Sequence, residues 1–85
     1  MSKIRTKDGK KNIIGSLLIQ LRKERSLSQR DLATLLQLAG YNLDKNVITR
    51  IETYQRYVSD LELKGLCEVL NVSADYLLGI EEKNS

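Results

Sequence analysis

Eighty-five residues make room for one domain with one modest core, and they exclude a second ligand-binding or catalytic domain beside it. The chain is 41% apolar and 29% charged, with five Gly and no Pro, so nothing interrupts long helical stretches and an all-α fold is expected. A single cysteine, Cys67, and the lack of histidine exclude both an intramolecular disulfide and a Cys/His zinc site, and no cofactor is expected. Tyr is the only aromatic type, so the core must be built from Leu, Ile and Val. The longest uncharged run is too short to cross a bilayer and no apolar signal segment follows Met1, so the expected location is the cytoplasm. The net charge of +3 is unevenly distributed. Residues 1–30 hold nine Lys or Arg against two acids, and residues 31–85 hold five against nine, so the front half is the part suited to a polyanion.

In chain order, residues 1–11 form a basic arm with Lys3, Arg5, Lys7, Lys10 and Lys11, turning at Asp8-Gly9. It reads equally as a mobile solubilising tail or as a phosphate-contacting arm. The folded domain is expected over 12–80. Ile13, Ile14, Leu17, Leu18 and Leu21 fall at helical spacing and predict a first helix ending near Arg25. Ser28 then stands as an N-cap with Asp31 placed near the free amides, and a second helix runs from about Gln29 with Leu32, Ala33, Leu35, Leu36 and Ala39 inward. Gly40 is its stop. Asp44 caps a third helix, Lys45 to about Tyr54, with Val47, Ile48 and Ile51 as its apolar stripe and Lys45, Asn46, Thr49 and Arg50 opposite. Ser59 and Glu62 match a capping box, so a fourth helix starts near Asp60, burying Leu61, Leu66, Cys67, Val69 and Leu70 and stopping at Asn71. Cys67 reads as a small buried hydrophobe, since no base lies near it in sequence to activate a thiol. Ser73 caps a last short helix with Tyr76, Leu77 and Leu78, closed by Gly79, and residues 81–85 are expected to fray.

Leu21-Arg22, then 27–33 (LSQRDLA), then 47–52 (VITRIE), then Leu70-Asn71-Val72-Ser73 with 76–79 (YLLG) together resemble the Xre-like helix-turn-helix family, the phage-repressor type of DNA-binding domain. The resemblance covers about residues 13–80. It implies a five-helix lambda-repressor-like fold and a sequence-specific binder of double-stranded DNA, a transcriptional repressor, with its third helix in the major groove. On that reading Lys45 and Arg50 face guanine, Asn46 faces adenine and Thr49 touches a thymine methyl. Without the resemblance, the same four residues read as a solvated helix face. Gln29 matches the family position that meets a phosphate, Ser28 combines that role with its cap, and Arg30, Gln55, Arg56 and Tyr57 are further backbone candidates. Arg22 and Glu52 match positions that pair helix one with the end of helix three.

One departure stands out. Fifteen residues separate Ala33 from Ile48 where the commoner family pattern has ten, so the second helix or its turn, around 37–41, is longer. Tyr41, in that stretch, is expected to cover the core rather than reach a phosphate. A homodimer on a palindromic operator is also expected, since one such domain covers one half-site, and the apolar last helix with Val72, Tyr76, Leu77, Leu78 and Ile80 is the candidate interface. No nucleophile with a base, carboxylate pair or Gly-rich phosphate loop is visible, so no enzymatic activity and no metal site are expected. The rival reading is an antitoxin-like protein-interaction module on the same fold, which the acidic residues Glu68, Glu81 and Glu82 of the second half would favour.

Overall fold

The computed structural model describes residues 4–80. Within them the chain forms α1 (Gly15–Glu24), α2 (Gln29–Leu38), α3 (Lys45–Glu52), α4 (Asp60–Leu70) and α5 (Ala74–Leu77), with no strand among the described residues. Packing runs α1 on α3, α2 on α3, α2 on α4 and α4 on α5. Helices of four to eleven residues are marginal alone in water, so this mutual packing is what holds them.

Side-chain caps fix the starts. Ser28 Oγ accepts from the Asp31 amide while the Asp31 carboxylate accepts from the Ser28 amide, both at 2.9 Å. Ser59 and Glu62 form the same reciprocal box on α4. Asp44 and Ser73 cap α3 and α5 by accepting from the amides of Val47 and Tyr76. Each such cap satisfies an amide that the helix itself leaves orphaned.

The helix ends share one device. A residue with positive φ follows each last turn, namely Ser26, Gly40, Tyr54, Asn71 and Gly79. The next amide then donates to a carbonyl five residues back: Leu27 to Arg22, Tyr41 to Leu36, Gln55 to Arg50, Val72 to Cys67 and Ile80 to Asp75. This left-handed closure stops α3 at Glu52, short of the Tyr54 expected from sequence, because Tyr54 itself takes φ 63°.

Ile14, Leu18, Leu21, Leu32, Ala33, Leu36, Leu43, Ile48, Ile51, Leu66, Leu70 and Leu77 form one buried cluster. Several residues expected inside are not in it. Leu61 is 66% exposed, Leu35 and Ala39 are exposed, and Val47, Cys67 and Val69 are half-buried. Leu61 lies in the first turn of α4 and is left largely uncovered. Helix α1 begins at Gly15 rather than Ile13, leaving Ile13 exposed, because Asn12 fixes its start. The Asn12 Oδ1 accepts from the Ile14 and Gly15 amides, and its Nδ2 donates to the carbonyls of Ile51 and Arg56. One side chain thus opens α1 and ties it to the end of α3, with both donors and both acceptor positions used.

The long connection between α2 and α3 is anchored at two points. Leu43 is buried, and the Tyr41 ring lies so close over α4 that a Cβ on Gly65 would stand 2.7 Å from it. The Tyr41 hydroxyl donates to Glu68 at 2.7 Å, which with partial burial pushes its pKa up. Tyr41 therefore covers the core, as its sequence context implied.

The stretch expected as a basic arm is also structured over its described part. The Thr6 amide donates to the Lys10 carbonyl, the Gly9 amide to the Thr6 carbonyl, and the Lys11 amide to the Tyr54 carbonyl. Residues 6–11 are thus a hydrogen-bonded turn docked on the exit of α3. Lys3 of that arm and the tail 81–85, with Glu81 and Glu82, lie outside the described residues.

Candidate nucleic-acid interface

α3 is a two-sided element. Ile48 and Ile51 are fully buried, and Glu52, although charged, is only 5% exposed. On the other side Lys45, Asn46 and Arg50 are exposed, and among the described residues no group holds the side chain of any of the three. A row of donors free of internal partners on a short, rigidly seated helix is what readout of base edges in a major groove requires.

The seating comes from a chain of charged and polar contacts behind that face. Arg22, on α1, donates from Nε and Nη2 to the two Glu52 carboxylate oxygens at 2.8 and 3.1 Å, and from Nη1 to the Leu27 carbonyl at 2.9 Å. Gln29, at the start of α2, donates from Nε2 to the same Glu52 at 2.8 Å. The predicted pairing of Arg22 with Glu52 is therefore present and bidentate, the geometry in which a guanidinium holds a carboxylate best. It joins α1 to α3, and Gln29 brings α2 into the same junction.

Several sequence-predicted site residues have a second occupation. The amide oxygen of Gln29, expected at a phosphate, accepts from the Thr49 hydroxyl at 2.9 Å, so its side chain is engaged inward at both ends. Thr49 is half-buried and its hydroxyl also reaches the Lys45 carbonyl, so its hydroxyl is committed within the protein. Arg56, a backbone candidate, has its Nη2 on the Glu62 carboxylate and its Nε buried without a partner. Its charge is compensated within the protein. Ser28 makes its cap, while Arg30 and Gln55 stay exposed. Tyr57 is half-buried, and its hydroxyl accepts from Arg5 Nε at 3.0 Å.

Sequence reading missed Asn12, Gly15 and Tyr54. A Cβ on Gly15 would stand 2.8 Å from the Ile51 carbonyl oxygen, so only glycine lets α1 approach the end of α3 so closely. The Tyr54 hydroxyl accepts from the Ser16 amide at 3.0 Å and donates to Ser16 Oγ at 2.8 Å, a second tie between the same elements. These contacts lower the Tyr54 pKa. An Asn just ahead of a helix, here three residues before Gly15, was the available signal for the first of the three.

The comparisons with known proteins agree with this fold. The Helix-turn-helix family matches residues 18–77, from within α1 to the end of α5. The chain belongs to that family, whose members are sequence-specific DNA-binding transcriptional regulators. The restriction-modification controller protein C.AhdI from Aeromonas hydrophila, known from a high-resolution crystal structure, is similar in structure with a TM-score of 0.66 and 31% sequence identity. The similarity covers 75% of this chain and 86% of that one. No curated protein matches the chain. Among the described residues, no helix is long and apolar enough to cross a membrane.

Proposed function

We propose that the protein regulates transcription by laying α3 in the major groove of a specific duplex, with Lys45, Asn46, Thr49 and Arg50 as the base-reading set. The observation that carries this is the contrast across α3: one flank locked into the core and onto Arg22 through Glu52, the other presenting Lys45, Asn46 and Arg50 uncommitted. Arg50 suits a bidentate contact to guanine, Asn46 to adenine, and Thr49, whose hydroxyl is taken by Gln29, has a methyl to set against thymine.

Phosphates on either side would fix the register. The first-turn amides of α2 at Gln29 and Arg30, with the Arg30 side chain, serve one strand, and Gln55 and Tyr57 after α3 serve the other. Ser28 contributes by capping α2. Arg56 shapes the second contact from behind, because Glu62 holds its guanidinium. The resemblance to C.AhdI supports a regulator of the controller type, and a homodimer on a palindromic site fits a domain that covers one half-site. The partly buried apolar groups of the α5 region, Val72, Tyr76 and Leu78 with exposed Ile80, are the candidate dimer surface. The family match and the resemblance to C.AhdI favour this reading over the protein-interaction alternative. This is a binding role, carried out in the cytoplasm, and it needs no chemistry.

Selection of duplexes from a random DNA pool at low salt tests the reading. Enrichment of a two-fold symmetric motif, with affinity falling steeply as salt rises, is the expected result. Failure to retain any duplex at low ionic strength would overturn it. Sedimentation of the free protein at tens of micromolar addresses the dimer, and a monomer there counts against stable pairing.

A further inference from the structure

A cleft of about 440 Å³ opens beside the exit of α3, lined by Lys11, Arg50, Gln55, Arg56, Tyr57, Val58, Ser59 and Glu62. Three cations and one carboxylate border it. Glu62 already holds Arg56, so the charges of Lys11 and Arg50 are left without a carboxylate. Lys11 is not a swinging tail residue. Its amide donates to the Tyr54 carbonyl at 3.2 Å, its neighbour Lys10 sits with its ammonium 4.3 Å from the centre of the Tyr54 ring, and Asn12 binds the Ile51 and Arg56 carbonyls. The Lys11 ammonium lies 5.6 Å from the centre of the Tyr57 ring, at the wall of the cleft. Arg5 brings a further positive charge to the same ring through its bond to the Tyr57 hydroxyl.

We propose that this cleft is a seat for one backbone phosphate of the duplex, and that Lys11, from the N-terminal turn, supplies its principal charge. A singly charged phosphodiester entering the cleft meets an ammonium fixed relative to α3, an amide donor from Gln55 and the flank of Arg50. This differs from a diffuse attraction to a basic tail, because the turn at residues 6–11 sets where the charge stands. The placement rests on the reading of α3 as the groove-bound helix, since the cleft adjoins its last turn. It adds the N-terminal segment to the interface as a built part.

The test compares salt dependence of binding to the selected duplex for the wild type, Lys11→Met and Lys64→Met. Methionine keeps an unbranched chain against the Tyr57 ring while removing the charge, and Lys64 is an exposed cation on α4 outside the cleft. Lys11→Met should make the slope of log affinity against log salt shallower by about 0.9, one phosphate contact, with base preference unchanged. Lys64→Met should leave the slope close to wild type. A thermal melt establishes that each variant is folded, and Lys11→Arg, which keeps the charge, should retain the wild-type slope. An unchanged slope for Lys11→Met, or equal losses for both methionine variants, would overturn the seat. A wild type that binds no duplex would instead sink the parent reading, so the two failures are distinct.

Discussion

Three donors converge on the carboxylate of Glu52, two from Arg22 and one from Gln29, in a place where water hardly reaches. A buried ion pair of this kind adds little net stability compared with an apolar pair, but stripping one partner leaves the other charged and alone. Glu52→Ala should therefore cost about 3 to 5 kcal/mol in a chemical denaturation experiment. It should weaken DNA binding with it, because Arg22, Gln29 and through Gln29 the Thr49 hydroxyl all lose their reference point. Unchanged stability and affinity would contradict the role given to this junction. The pair was legible in the sequence only through the resemblance of Arg22 and Glu52 to family positions. The entry of Gln29 into it was not, since a glutamine at a helix start carries no local mark of whether it faces a phosphate or its own protein. Asn12 was missed for a related reason: its partners Ile51 and Arg56 lie 39 and 44 positions away, and no local pattern encodes them.

At the scale of the helices, starts were easier to read than ends. Ser28, Asp44, Ser59 and Ser73 all cap as their residue types suggest, because a short oxygen-bearing side chain is the cheapest way to satisfy a first-turn amide. Among the ends, Gly40, Gly79 and Asn71 announce a left-handed residue, whereas Ser26 and Tyr54 adopt the same conformation without the composition for it. Tyr54 is held there by its hydroxyl on Ser16, and its neighbours overrule its local preference. Ser26 has no such compensation among its side-chain contacts and is exposed. Ser26→Gly should therefore stabilise the protein by roughly 0.5 to 1 kcal/mol, the relief of the β-carbon less the added freedom of the unfolded chain. Loss of stability in a melt would show that the serine side chain has a role of its own.

The α2 cap also carries a pH signature. Hydrogen bonds from the Ser28 amide and hydroxyl region hold the Asp31 carboxyl below its ordinary value. A carboxylate depressed on folding contributes stability that is fully present above its unfolded pKa, about 3.9, and is lost as pH falls toward the depressed value. Melting temperature should thus decline on acidification below about pH 4, and Asp31→Asn should reduce that decline. An identical acid profile for the variant would mean that the box contributes nothing through its charge.

Viewed as a whole, the molecule spends most of its described acids internally. Asp31, Asp44 and Glu62 sit at helix starts, Glu52 and Glu62 hold arginines, and Glu68 holds Tyr41. Among the described cations without an acidic partner, Lys45, Arg50 and Lys11 lie on and beside α3, so part of the positive charge stands where a polyanion would meet that helix. The fold class and the order of elements were legible because periodicity, caps and the family-like segments agree. What the pattern did not reveal was which apolar residues stay outside, Leu61 and Leu35 among them, since a helical stripe does not say how far its neighbour extends along it. The lengthened α2 to α3 connection was visible as a count. Its anchoring by Leu43 and by Tyr41 over Gly65 emerges only in three dimensions.

If the open flank of α3 reads bases, Arg50 is its most direct probe. Affinities of wild type and Arg50→Ala should be measured across duplexes carrying each of the four base pairs at every position of the selected site. The account predicts that the variant loses about 1 to 3 kcal/mol of discrimination at one position in each half-site and keeps its preferences elsewhere. A variant that weakens uniformly at every position, or that reads the site unchanged, would contradict it.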